Sequence, residues 1–225
     1  MSFFENIASF ISTVIQFVPK FLPGVKNTLT LSVLSILLGT LVGLLVVMLK
    51  LTKKKILILI CNAYISLIRG TPLLLQLYFI FFGLPDMGIY IDRFSSAVIG
   101  LALHSGAYIS EIFRGSIESI DYGQKEAAKS LGMTNLQAFK RIIMPQALKR
   151  SIPALGNQFI ISVKDSSLAS VITITETILL ARQFAAATFN VFPIFTVAAM
   201  YYLVITLSLT KVLQKVELRL KINER

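Results

Sequence analysis

Hydrophobic residues dominate the chain in long runs that polar clusters interrupt, and the run lengths carry the first reading. A helix needs ~20 largely apolar residues to cross the hydrocarbon of a bilayer. Five segments meet that length: Val25 to Leu49, Ile56 to Phe82, Ser95 to Phe113, Ala154 to Thr173 and Val191 to Thr210. Residues 3 to 18 read differently. Glu5, Ser9, Ser12 and Gln16 fall on one helical stripe, Phe3, Ile7, Phe10, Ile11, Val14 and Val18 fill the rest, and Pro19 and Pro23 follow as helix breakers. That pattern predicts an amphipathic helix lying at the membrane interface ahead of the first span. Within the second span, Gly70-Thr71-Pro72 predicts a loosened helix at mid-membrane, because a proline removes a backbone donor.

Composition agrees with lipid as the solvent. Of 225 residues, 55% are hydrophobic and only 15% charged, where a soluble domain has about 25% charged residues. The mean hydropathy is +0.77. A net charge of +11 would suit nucleic acid, but the basic residues sit between the hydrophobic runs. Sixteen of the 22 fall in three places: Lys50 to Lys55, Arg114 to Arg150, and Lys211 to Arg225. The positive-inside rule then puts the N-terminus outside and the C-terminus in the cytoplasm, and an odd number of spans, which leaves the termini on opposite sides, agrees. Cys61, the single cysteine, lies inside an apolar run and reads as a small apolar side chain. No small-residue cleavage site follows the first apolar stretch, so no removed leader is expected. Residues 1–225 form one transmembrane domain on this reading, with residues 1–19 as its interfacial helix and about 121–153 as a cytoplasmic loop.

The loop DYGQKEAAKSLGMTNLQAFKRIIMPQALKRSIP, from Asp121 to Pro153, carries more helix punctuation than a plain linker requires. Gly132 stops one helix, Thr134 or Asn135 can cap the next, and a third is expected near Pro145. Glu126-Ala127-Ala128, Gly132, Ile142 and Met144-Pro145 resemble, at their spacing, the EAA motif of bacterial ABC importer permeases, with Met144 where the family usually has leucine. RGTPLLLQLYF (Arg69 to Phe79), EIFRGSIESI (Glu111 to Ile120) and KDSSLASVI (Lys164 to Ile172) resemble the polar amino-acid, histidine/glutamine/arginine-type branch. The resemblance implies an all-α membrane protein with five transmembrane helices in the type I importer permease architecture. It implies a coupling helix that docks on a separate ATPase, through Glu126, Ala127, Ala128, Gly132, Met133 and Thr134. Its implied partners are two ABC ATPase subunits, a second permease chain (identical or a close homologue), an external substrate-binding protein and an amino-acid substrate.

No chemistry is expected in the chain itself. None of its twelve glycines is followed by lysine, so it lacks a phosphate-binding P-loop, and it has no metal-ligand spacing and no cofactor motif. Ionisable groups at membrane depth are functional candidates by default. Arg69, His104, Lys164 and Asp165 fall near the middle of their spans, with Glu111 closer to the cytoplasm. They pair to lock helices, as Arg69 with Asp165 or Lys164 with Glu111, line a cavity for an amino-acid zwitterion, or do both, since an empty cavity's charges must be paired. Ser162 and Ser166 can add hydroxyls, and Asn157 and Gln158 lie nearer the inner end, where a gate would be. An ion-coupled secondary carrier is the competing function, but inverted repeats would be expected there and none is visible. A membrane receptor or scaffold would have no use for charges at mid-depth.

Overall fold

The computed structural model describes residues 3–222, so Met1, Ser2 and Arg225 of the regions discussed above lie outside the described residues. Those residues form an all-helical bundle without a strand. The N-terminal amphipathic segment is α1 (Phe3–Phe17), and Pro19 falls in a 3-10 turn, Val18–Phe21, that leads into α2 (Leu22–Leu51). At ~1.5 Å per residue, α2 alone is ~45 Å long and spans a bilayer. Phe17 and Phe21 are buried against α10 (Thr177–Thr188) and α11 (Val191–Ile222), with Phe184 ring centroids at 5.2 and 5.5 Å, so α1 is anchored to the bundle at its end.

Small residues set the packing of α2 on α6 (Arg93–Glu118). Thr28, Ser32, Ser35, Gly39 and Gly43 recur at helical spacing on the buried face of α2. A Cβ on Gly39 would stand 3.0 Å from the Ala102 carbonyl oxygen and 3.0 Å from the Ser105 Cβ, and one on Gly43 would meet Ser110 N at 3.0 Å. Hydrophobicity does not drive helices together in lipid, so close backbone approach through small residues supplies the contact. The other face of α2 exposes Val33, Leu37, Leu41, Leu45 and Met48, an aliphatic surface for lipid tails.

The second span is broken. α3 (Lys55–Gly70) ends at Thr71, which is extended at φ −123° and ψ 148°, and α4 (Leu73–Tyr78) leaves at an angle of 108° to it. Pro72 provides no N–H and disfavours helix at the residue before it, so the sharp break follows from Thr71-Pro72. The freed carbonyls are not orphaned: the buried Gln76 side chain donates to the Ile68 and Thr71 oxygens at 2.8 and 3.0 Å. α4 passes through a π-helical segment, Phe79–Gly83, into the short α5 (Leu84–Asp86). A second π-helical segment, Phe139–Ile143, follows α8 (Asn135–Ala138) and precedes Met144-Pro145. Each π segment ends just before a proline, whose ring displaces the carbonyl four residues back and widens the turn.

Asp92 caps α6 by accepting from Ser95 N at 3.0 Å, and hydrogen bonds from Ser95 hold its carboxyl below the ordinary range. Beyond α7 (Tyr122–Ser130), the rest of the chain is α8, α9 (Met144–Asp165), a 3-10 turn (Ser166–Ile172), α10 (Thr177–Thr188) and α11 (Val191–Ile222). Three runs are long and apolar enough to cross a membrane, and the two bent pairs bring the total to five. The helix expected near Pro145 is α9, which begins at Met144 and follows α8 through the π segment without a break. One expectation needs correction: α10 is a helix where none was anticipated. Twelve residues fall short of a span, so run length alone does not reveal α10.

Glu176 fastens α10 in place. It is fully buried, and its carboxylate accepts from Ile178 N and Leu179 N at 2.8 Å each and from the Tyr202 hydroxyl at 2.9 Å. Thr28 of α2 reaches it at 3.5 Å, so one carboxylate joins α2, α10 and α11.

Gly39→Val should force α2 and α6 apart and lower stability by ~1–3 kcal/mol. Gly115→Ala, whose Cβ meets nothing within 4 Å, should leave stability unchanged or raise it by up to ~1 kcal/mol. Thermal unfolding in detergent compares the two, and equal effects would contradict the packing account.

Candidate functional site

Side chains on a helix lean toward its N-terminus. α3 runs opposite to α6, so Arg69 leans down along α6 while Glu111 of α6 leans up, and the two meet: Arg69 Nη1 lies 3.9 Å from Glu111 Oε2. Lys50, from the end of α2, places Nζ 3.6 Å from the other oxygen, and Arg114 makes a forked contact at 2.8 Å. Glu111 is therefore the shared anion of three cations from three helices. This corrects the expected pairs: neither Arg69 with Asp165 nor Lys164 with Glu111 is present, because depth estimates ignore the direction in which each side chain leans. Arg69 also lies over the Tyr108 ring, 5.1 Å from its centroid.

These groups open onto a cavity of about 380 Å³ lined by Arg69, Tyr108, Glu111, Ile112, Ala154, Asn157 and Gln158. Of the residues singled out from sequence, Arg69, Asn157 and Gln158 come together here. His104 stands beside Tyr108, ring centroids 5.1 Å apart, with Nδ1 3.2 Å from Gln76 Oε1. Ser162, Lys164, Asp165 and Ser166 do not line this cavity. Ser166 donates its hydroxyl to the Val163 carbonyl at 2.8 Å, whereas the buried Ser162 hydroxyl has no partner among the described residues. Lys164 is exposed and Asp165 half-buried, and neither makes an ion pair among the described residues.

Ala154, Asn157 and Lys164 form an exposed stripe along α9, at helical spacing, that continues outward from the cavity. It contrasts with α2, whose exposed stripe is wholly aliphatic. A stripe with an amide and an ammonium at membrane depth is unsuited to lipid tails and suited to water, a solute or another chain. Sequence reasoning passed over Tyr108, Gln76 and Glu176. Gln76, a polar residue in the middle of LLLQLYF, carried a signal; Tyr108 carried none.

The loop that follows α6 is rigidly built. α7 ends in a Schellman motif: Gly132 takes φ +77°, its N–H donates to the Lys129 oxygen at 2.8 Å, and Met133 N donates to the Ala128 oxygen at 3.0 Å. Thr134 then caps α8 in a capping box with Gln137, at 2.8 and 3.2 Å. Ala128 is buried, Met133 half-buried, and Glu126, Ala127, Gly132 and Thr134 are exposed. Arg150 bonds to the Ser119 carbonyl and ties the loop's return to the end of α6. From Asn135 the helical run continues unbroken to Ile172, so the loop and the polar stripe share one rod.

The chain matches, over residues 1–222, the family model described as binding-protein-dependent transport system inner membrane component. It is 39% identical to the arginine transport system permease protein ArtQ of Bacillus subtilis, over 95% of this chain and 98% of that protein. It is also 39% identical to the glutamine transport system permease protein GlnP of Escherichia coli, over 91% of this chain and 94% of the relative. A crystal structure of an amino acid ABC transporter with histidines superposes at a TM-score of 0.89, with 40% identity over 93% of this chain and 98% of that one. The MetNI methionine ABC transporter, inward facing, shares the fold at a TM-score of 0.70 and 21% identity, over 87% of this chain and 95% of that one.

Glu111→Gln should strand Lys50, Arg69 and Arg114 beside one another. Their side chains are 21–44% exposed, so the loss should be ~1–2 kcal/mol, below that for a fully buried pair. Glu118→Gln removes a single contact from a 62% exposed side chain and should change stability by less than ~0.5 kcal/mol. Unfolding midpoints of the two variants decide whether Glu111 is the hub.

Proposed function

The chain belongs to the binding-protein-dependent transport system inner membrane components as a permease of the polar amino-acid ABC importers, and on that premise we propose how its residues move a polar amino acid inward. It is an integral inner-membrane protein of type I importer permease architecture and a transport subunit, with ATP hydrolysis supplied by partner ATPase subunits and substrate by a binding protein. The proposed substrate is a polar α-amino acid, basic ones included. Relatives are named for arginine, glutamine and nopaline transport, and one similar solved structure is an amino acid ABC transporter with histidines. Such ligands share a carboxylate and an ammonium that a cavity bearing both signs of charge can meet.

The pathway follows α9, with Arg69, His104, Asn157, Gln158, Ser162, Lys164, Asp165 and Ser166 along it. Arg69 would meet the substrate carboxylate, Glu111 would keep that guanidinium in place, and the Asn157 amide would bond either group. The observation that carries this reading is the cavity of Arg69, Tyr108, Glu111, Asn157 and Gln158 opening onto the polar stripe. A single transmembrane domain, 1–225, houses it, with the N-terminus outside and the C-terminus in the cytoplasm. Two such chains, identical or closely homologous, sit over two ATPase subunits.

Coupling runs through Glu126, Ala127, Ala128, Gly132, Met133 and Thr134. Tyr122, Leu131 and Leu136 are 67%, 79% and 61% exposed around this loop, an apolar surface that an ATPase groove would cover. Because α8 and α9 belong to one helical rod, a push on the loop is delivered directly to Asn157 and Lys164. ATP binding would close the ATPase pair and draw the loops together, turning the pathway outward, and hydrolysis would reset it.

Gly132→Ala places a Cβ at φ +77°, at ~1–2 kcal/mol. Gly132→Asp adds bulk and charge at the ATPase contact and should be worse. The variant chain should insert normally while the ATPase is lost on purification or hydrolyses ATP without transport. Uptake of an amino-acid panel by proteoliposomes holding the complete transporter measures both coupling and substrate. Wild-type uptake and ATPase retention in Gly132→Asp would exclude this loop as the coupling element.

A further inference from the structure

Lys164 poses a problem that the single chain does not solve. It lies fourteen residues beyond Arg150 in α9, ~21 Å along the helix, and the 3-10 turn Ser166–Ile172 extends ~14 Å farther to the outer end. Its ammonium is thus near mid-depth, too far from either surface to snorkel, and it is exposed without an ion-pair partner among the described residues. Three acids lie at membrane depth. Glu111 is held by Lys50, Arg69 and Arg114, and Glu176 is sealed in the hydrogen bonds that fasten α10. Asp165 makes no ion pair within 4.0 Å among the described residues; Lys164, its neighbour on the helix, acts on it only at longer range, because adjacent side chains point about 100° apart.

We propose that Lys164 pairs with Asp165 of the partner subunit, and reciprocally, across the two-fold axis of a dimer of this chain. This rests on the two-chain reading above. A two-fold interface is self-complementary, so the exposed Lys164 and the half-buried Asp165 beside it generate two equivalent pairs from a single patch. The occupant of the stripe at this height is therefore a second copy of the chain. The pairs cross-brace the two α9 helices at mid-depth, outward of the cavity, and satisfy both charges while no zwitterion is present. A substrate's carboxylate and ammonium match the same two groups, so an arriving amino acid exchanges two inter-chain pairs for pairs with itself. The brace thereby holds the empty pathway closed and yields to cargo.

Charge reversal with two tags tests this in the complete transporter. Lys164→Asp makes a chain acidic at both positions, and Asp165→Lys makes one basic at both. Each alone should dimerise weakly, while a tagged Lys164→Asp chain co-expressed with an untagged Asp165→Lys chain should capture it about tenfold over its own kind. The double reversal Lys164→Asp/Asp165→Lys should restore self-pairing. Random assortment of the variants, with wild-type chains still pairing, overturns the brace and leaves the importer reading intact. Failure of tagged wild-type chain to capture untagged wild-type chain removes the second copy and overturns this proposal together with the homodimer. In membranes holding the paired variants, cargo should raise the exchange between tagged and untagged chains; no response would separate a static brace from one that yields to substrate, and would overturn the exchange.

Discussion

Lipid tails accept no hydrogen bonds, and this absence orders the structure. Each polar group placed at membrane depth has to be satisfied within the chain or turned toward something other than lipid. Glu176 takes the first course, spending its carboxylate on two backbone N–H groups and the Tyr202 hydroxyl. Gln76 does the same for the carbonyls freed at the Thr71-Pro72 break, and Tyr64 donates to the Leu103 carbonyl at 2.6 Å. Asn157 and Lys164 take the second course and stay exposed. Scaffold and pathway are told apart by this division: the polar groups that are tied off hold the bundle, and the untied ones mark where solute or a second chain belongs.

The same constraint bears on how the proposed coupling would reach the proposed pathway. A loop inside the membrane would leave backbone unsatisfied, so a signal from the cytoplasm travels best along an unbroken helix. The run from Asn135 to Ile172 is one. Its loop end is fixed by the Schellman turn at Gly132 and the capping box at Thr134, and its apolar portion carries Asn157 and Lys164. The π segment at Phe139–Ile143 sits between loop and membrane, where a widened turn can absorb rotation.

Much of this was legible from residue pattern. Run lengths located the spans, Gly70-Thr71-Pro72 announced a break, and Gly132 followed by Thr134 announced one helix ending and another starting. What stayed hidden depended on direction and on three-dimensional neighbours. Glu111 pairs with Arg69 and Lys50 because α3 leans down and α2 and α6 lean up, which residue counting along each span does not reveal. Glu176 sits in ITITETILL without a distinctive spacing, and its role exists only because Thr28 and Tyr202 arrive from distant helices. α10 was too short to register as a span, and the 108° bend was foreseen only as a loosening.

The central claim is that the exposed polar stripe of α9 faces a hydrated amino-acid path while the aliphatic stripe of α2 faces lipid. Cysteine accessibility tests it most directly, with Asn157→Cys and Leu41→Cys each introduced in a Cys61→Ala background of the complete transporter in liposomes. A small cationic methanethiosulfonate should modify position 157 and leave position 41 untouched, and the transported amino acid should slow the reaction at 157. Equal inertness of the two positions would contradict the account.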